Sequence, residues 1–364
     1  MKQPRPRKHH YLPQFYLRGF SEKGTHLYQI EKCTGKSFGA SILDTAAIRD
    51  FHKLDFNGCT DPEALEKFVS KVEGLIAPAL DSVLHDEAFT RGTRVSMDRL
   101  TSMLMARVPA TKDMVEDSIR ENVRSVGLLL EKHGGLPPKP LEVQEALSFE
   151  NLRIDVGNWH VMQHMFALAF DEDILRIIGR CQAELLRAPT GKQFITGDQP
   201  VAQFNADARP EESDPRGGLA DPDTVTTLPL SSELALVLSN NGRGKGQRAR
   251  EATPAEVDEI NRRTIIMSSD RLFACSIDDS VRQLLLRYGH CTAGAEIRVT
   301  RTPDGVSHHV LNMVPVMDQR LYEPLGARQA FTPIASRPYE LRLNRGAVYP
   351  MVTTHINLPN DRKS

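Results

Sequence analysis

Residues 194–204, FITGDQPVAQF, decide the fold, because the hydrophobic period changes there. Phe194-Ile195-Thr196 is a short apolar run of strand-forming residues, closed by Gly197 and Pro200. On its N-terminal side, apolar residues recur every three or four positions for more than a hundred residues, the spacing of helices with one buried face. On its C-terminal side the runs TVTTLPLS (224–231) and ELALVLS (233–239) are β-like. The stretch is therefore the seam between a helical half and a strand-rich half.

Upstream of the seam, Asp61 is read as an N-cap, with Pro62 at the first helical position and Glu63 in the first turn. Leu65, Phe68, Val69, Val72, Ile76, Leu80, Val83 and Leu84 follow at helical spacing. A second helix is expected after Ser96, with Met97, Leu100, Leu104 and Val108 on one face. Further helical runs are read over 114–132, 141–155, 156–170 and 171–186, broken by the loop GGLPPKP, whose prolines remove donors. Before the helices, HLYQIEK (26–32) and SILDTAAI (41–48) are candidate strands. Beyond the seam, 252–268 reads as a helix with Thr253 as N-cap, RLFACS as a strand and 278–289 as a helix. A hairpin is expected from AEIRVTRTPDG to VSHHVLNMV. The expected class is α+β: a mostly helical first half packed on a mixed or antiparallel sheet of N-terminal and second-half strands. We expect a basic disordered arm over 1–8, one α+β domain over 9–317, and a loosely ordered Pro/Arg-rich tail over 318–364.

Composition narrows the function without naming it. The chain has 364 residues, 46 Lys+Arg against 47 Asp+Glu, and a formal net charge of −1. That balance excludes a globally basic nucleic-acid coat. No stretch approaches the roughly 20 apolar residues of a membrane span, so no membrane partner is expected. The basic start lacks the apolar core of a secretory signal. The five cysteines are odd in number and scattered, which suits free thiols in a reducing cytoplasm.

The blocks HHYLPQFYLRGF, LEKFVSKVEGLIAPAL, LTSMLMARVPATKD, FITGDQPV and TLPLSSELALVL, in that order, resemble the bacterial domain-of-unknown-function family 4238. EVDEINRRTIIMSSDRLFA is similar to that family's closing helix and strand. The resemblance spans about residues 8–275. It departs at CQAELLRAPTGKQ, where the family often carries a Trp and this chain has none. It implies a fold relationship and no activity.

Several polar residues stand in unexpected places. HHYLPQFYLRGF packs His9, His10, Tyr11, Tyr16 and Arg18 beside Phe15 and Phe20. In an extended segment His9 and His10 point to opposite faces, so one of them is expected at a given site, as a general acid or base near neutral pH. The other reading is an arm whose imidazoles satisfy backbone carbonyls. Tyr16 is grouped with the substrate-binding candidates. Glu73 lies beside the apolar stripe of its helix and Arg107 lies on the buried face of the next. Packing those stripes brings the two together, either as an ion pair that fixes register or as walls of a polar pocket. In the second case Arg107 would grip a phosphate or carboxylate. Asp198, on a turn at a strand end, is a candidate base or divalent-metal ligand, and equally a turn former. His160 and His164 have i, i+4 spacing but lack the Glu of a zincin, so a structural pair is expected. The glycine-rich loop with Arg243, Lys245, Arg248 and Arg250 is a weak nucleic-acid-binding candidate without aromatic stacking partners.

Three readings follow. The first is a hydrolase of a phosphodiester or nucleotide, with the N-terminal histidines, Glu73, Arg107 and Asp198 around one pocket between the helical half and the sheet, and a divalent metal as a possible cofactor. The second is a non-catalytic module that binds nucleic acid or a nucleotide. The third is an interaction protein in which these polar positions are structural.

Overall fold

The computed structural model describes residues 8–205, 218–240, 248–301 and 307–317, the last hairpin by its backbone alone from residue 292 onward. The chain opens with strand β1 (Lys8–His10), helix α1 (Gln14–Leu17), strands β2 (His26–Glu31), β3 (Ser37–Ser41) and β4 (Ala47–Arg49). Helices α2 (Ala64–Asp86), α3 (Arg91–Ala106), α4 (Pro109–Lys132), α5 (Asn158–Ala169) and α6 (Glu172–Arg180) make the helical half. Then come β5 (Gln182–Arg187), β6 (Thr196–Gly197), β7 (Ala202–Asn205), β8 (Thr224–Pro229), β9 (Leu234–Ser239) and β10 (Arg250–Glu251). Helix α7 (Pro254–Met267), β11 (Arg271–Ala274), α8 (Asp279–Tyr288), β12 (Cys291–Arg301) and β13 (Ser307–Met317) close the described part. The class is α+β.

The expected sheet is two sheets. The antiparallel order β3-β2-β11-β6 joins N-terminal strands to second-half strands. The order β10-β5-β9-β8-β7 is built only from second-half strands and is mixed, because β10 runs parallel to β5. β1 pairs β4 in a two-stranded ribbon, and β12 pairs β13. The main core is where the N-terminal arm meets the helices: Leu12, Tyr16, Leu17 and Phe20 pack with Leu80, Leu100, Leu104, Met162 and Phe273. A second cluster, around Ile30, Ile195, Ile265 and Leu272, lies between the four-stranded sheet and α7 and α8.

Several elements differ from the sequence reading. Helix α2 starts at Ala64, and Asp61 instead accepts the Glu63 amide at 3.2 Å, an Asx turn ahead of the helix. Helix α3 starts before Ser96, at Arg91, where Thr90 and Thr93 form a reciprocal capping box. The 141–155 run is not an α-helix. It has one 3-10 turn, and its backbone is tied to α4: Glu131 accepts the Phe149 amide at 3.0 Å and the Ser148 hydroxyl at 3.1 Å. The run 171–186 breaks at Cys181 into helix and strand. Arg94 caps the helix end by donating to the Ile178 and Cys181 carbonyls at 3.0 and 3.2 Å. The 41–48 run is split by a 3-10 turn at Ile42–Asp44. Among the described residues no helix is long and apolar enough to cross a membrane. The tail over 318–364, the arm over 1–7, and Arg243 and Lys245 lie outside the described residues.

Candidate functional site

Helix α2 carries carboxylates at 66 and 73, two turns apart on one face, and its N-cap adds Glu63 one turn earlier. The strand β1 and the segment after β4 bring His9 and His52 against that face. Both imidazoles are buried. Their rings stack with centroids 5.6 Å apart and an interplanar angle of 15°. Phe51 and Phe166 meet His52 edge-on at 5.0 and 5.8 Å, so the ring is framed on several sides.

Proton accounting assigns the nitrogens. His52 Nδ1 lies 2.7 Å from Glu66 Oε2. Burial holds the His52 pKa down, from the ordinary 6.5 to about 4, against the opposing pull of Glu66. Burial alone would raise the Glu66 pKa, but the bond from His52 and the nearby His52, His9 and Arg107 charges outweigh it and hold it below the ordinary value. A neutral imidazole facing a carboxylate must donate from Nδ1, which leaves the lone pair on Nε2. That Nε2 is buried and has no hydrogen-bond partner. His9 has the opposite tautomer. Its Nδ1 accepts the His52 backbone N–H at 2.9 Å, so its proton sits on Nε2, 3.2 Å from Glu63 Oε2 but off the line of a hydrogen bond.

Arg107 closes the other end of the cluster. It sits at the C-cap of α3, where Val108-Pro109 starts the next helix. Nη1 donates to Glu73 Oε1 at 2.5 Å and Nη2 donates to the His10 carbonyl. The side chain is 2% exposed, and both terminal nitrogens are engaged by the protein. The expected meeting of Glu73 and Arg107 is therefore seen, as an ion pair that also pins β1. Its Nε is buried and has no hydrogen-bond partner, and the two engaged nitrogens leave the guanidinium turned toward the protein. His10 points away from His9, with its Nε2 donating to the Leu43 carbonyl at 3.2 Å, and burial lowers its pKa.

His9, His52 and Glu66 each bring one potential ligand atom within 4.8 Å of the others, the grouping of a small metal centre. Only one of the two rings fits a metal in this arrangement. His9 Nδ1 accepts an N–H, so a metal on its Nε2 would need an imidazolate, whereas His52, with Nδ1 bonded to Glu66, keeps a lone-paired Nε2 of the kind metals bind. The two rings therefore differ at Nε2, which bears a lone pair in His52 and a proton in His9.

The remaining candidates lie elsewhere. Asp198 does not join the cluster. Its carboxylate accepts the backbone N–H groups of Ser269, Asp270 and Arg271 at 2.7, 2.7 and 2.9 Å. It is buried, and burial raises its pKa against those bonds and Lys32. It anchors the β6–β7 turn to the loop before β11, with three of its acceptor sites taken by backbone N–H groups. Tyr16 is buried in the core, donating from its hydroxyl to the Pro229 carbonyl at 2.8 Å and accepting from Thr196 at 2.7 Å. Arg250 is held by Glu184 and Glu256 at 2.7 and 2.6 Å, so its charge is neutralised. Arg248 is exposed beside Ala88. His164 Nδ1 bonds the His160 carbonyl at 2.9 Å and His160 packs on Trp159, so these two imidazoles do not share an ion.

The expected pocket between the helical half and the sheet exists, but none of the predicted site residues lines it. A cavity of about 150 Å³ lies between the α3–α4 corner and residues 199–203. Ala106 and Val108 line it while Arg107 between them turns away to Glu73. Gln199 lines it while Asp198 turns away to the β11 loop.

Sequence reasoning missed His52, Glu63 and Glu66. The available signal was the acidic spacing 63, 66 and 73, which places three carboxylates along one side of α2 beside an apolar stripe. His52 lies in a segment without periodicity and carried no signal.

The chain belongs to the DUF4238 family, described as a protein of unknown function, whose model matches residues 8–278. No curated protein and no solved structure matches it.

Proposed function

We propose that the chain is a hydrolase in which His52 is the general base and His9 a hydrogen-bond donor to the reacting group, acting on a phosphodiester or nucleotide. The observation that carries this reading is the Glu66–His52 pair, with Nδ1 held at 2.7 Å by a carboxylate and a buried, lone-paired Nε2. A carboxylate that fixes an imidazole's tautomer and stabilises its protonated form is a recurrent device of general-base catalysis. In the proposed step, His52 Nε2 removes a proton from water as its oxygen attacks the phosphorus. The proton that His52 gains then passes from its Nε2 to the leaving oxygen, while the His9 Nε2–H donates a hydrogen bond to the phosphoryl oxygen. His52 carries both transfers, first as base and then as imidazolium, and His9 keeps its proton. The carboxylates of Glu63 and Glu66 are partly exposed while both imidazoles are fully buried, so the reading requires a local opening on the carboxylate side to admit water and substrate. The phosphodiester class draws support from this acid–base pair and none from Arg107 or Arg250, whose charges are already paired. A bacterial, cytoplasmic setting belongs to the same reading, supported by free cysteines at all five positions.

The test is turnover by the full chain on a panel of nucleic acids, nucleotides and phosphodiester esters. His52→Gln is expected to lower the rate by about 10²–10⁴-fold while circular dichroism is unchanged. Absence of turnover across the panel, or full activity in that variant, refutes the reading. A non-enzymatic interaction protein is the competing reading, favoured by the structural engagement of Asp198, Tyr16 and Arg250. It predicts that His52→Gln changes stability alone. A nucleic-acid-binding module, by contrast, would show steep salt dependence of binding.

A further inference from the structure

We propose that the cavity between the α3–α4 corner and β7 binds one uncharged, planar heterocycle of nucleobase size, read through the amide of Gln203. Three independent features of the cavity point to that class. Its volume, about 150 Å³, is that of a cavity that accepts a single six-membered ring. No charged side chain lines it, so an ionic group would enter without a counter-charge. Met105, Met114 and Met267 all face it, and thioether sulfur makes favourable contacts with aromatic rings.

The polar lining selects further. The Ser102 hydroxyl already donates to the Ala169 carbonyl at 2.9 Å, and the Thr111 hydroxyl to the Met105 carbonyl at 2.7 Å. Gln199 donates to Ser269 Oγ at 2.8 Å. Gln203 is different. Its amide nitrogen meets only the Met105 sulfur, at 3.9 Å, a weak acceptor. Among the described residues no donor reaches its amide oxygen. Gln203 therefore presents an unused donor and an unused acceptor side by side in a half-buried position. That pair matches the edge of a heterocyclic amide or amidine, such as a free purine or pyrimidine base. The same pair has no match on a plain hydrocarbon. Gln203 sits on β7, the edge strand of the five-stranded sheet, so the strand holds its backbone in place. The inference does not depend on the hydrolase reading, since it concerns binding at residues that the His52 cluster does not include.

The experiment is calorimetric titration of the full chain with adenine, hypoxanthine and uracil, with benzene as the apolar ring of similar size. At least one base is expected to bind saturably at one site and more tightly than benzene. Gln203→Leu is expected to weaken that base by about tenfold or more and leave benzene binding in place. Gln203→Glu keeps the side chain's size, removes the donor, and is expected to weaken the base as well. Ala106→Leu fills the cavity and is expected to abolish binding of both rings. His52→Gln is expected to leave binding unchanged, which separates this result from any failure of the hydrolase reading. Binding of no base overturns the proposal. So does binding that is indifferent to both Gln203 variants or to Ala106→Leu.

Discussion

At the scale of single residues, the charged positions that stood out in the sequence turn out to hold the backbone. Arg107 ties three pieces of chain together: its own helix end, Glu73 on α2 and the carbonyl of His10 on β1. Asp198 gathers three consecutive N–H groups. Such groups are recognisable in a sequence, because a charge on a buried face demands a partner. What the sequence does not reveal is whether the partner belongs to the protein or to a ligand. The Glu73–Arg107 pair allows a quantitative check. Glu73→Ala leaves a nearly inaccessible guanidinium without its carboxylate, so it should destabilise the fold by about 3–5 kcal/mol. Replacing both, Glu73→Ala with Arg107→Met, should recover most of that loss. Urea denaturation of the two variants measures both quantities. Equal loss in the single and double variants would mean that Arg107 contributes through packing and not through its charge.

At the scale of elements, caps and breaks account for most of the departures from the sequence reading. The Thr253 cap and Pro254 start of α7 were legible, and the capping box with Glu256 is present. The Thr90 cap of α3 was overlooked because Gly92 sits inside the first turn and weakens the pattern. The 141–155 run looked helical from its apolar residues. It lacks a partner that would bury a helical stripe, and Phe149 instead occupies the space over Gly127, where an added Cβ would lie 2.1 Å from the ring. Gly197 closes the apolar run without a positive φ. Its role is close approach. A Cβ there would meet Ser268 Oγ at 1.9 Å and the Arg271 carbonyl oxygen at 3.0 Å. Gly197→Ala should therefore push β6 from β11 and cost about 1–3 kcal/mol in thermal or denaturant unfolding. An alanine variant of wild-type stability would show that Ser268 rotates away freely and that β6 is not closely packed.

At the scale of the whole molecule, the change from helices to second-half strands was legible near residues 194–204, but it begins earlier, at β5 (Gln182–Arg187). Which strands share a sheet was not. Pairing of β2 with β11 joins residues 240 or more positions apart, and no local pattern specifies it. The same long-range closure assembles the site. His9 comes from the first strand, His52 from the segment after β4, Glu66 from α2, and Phe166 from α5. Each residue is unremarkable within its own element, so the cluster becomes visible only once the chain is folded. Its electrostatics then act on the entire fold. Between about pH 6.5 and about pH 4 the unfolded chain takes up a proton at His52 that the folded chain refuses, so stability falls with acid through that window.

The central claim is that His52 is a neutral base, oriented by Glu66, with its lone pair on Nε2. Nitrogen-15 NMR of the imidazole nitrogens in the full chain, titrated from neutral pH to below pH 4, tests it most directly. The account predicts a protonated Nδ1 and an unprotonated Nε2 at neutral pH, with the second proton arriving only near pH 4. A proton on Nε2 at neutral pH, or titration near 6.5, would contradict it.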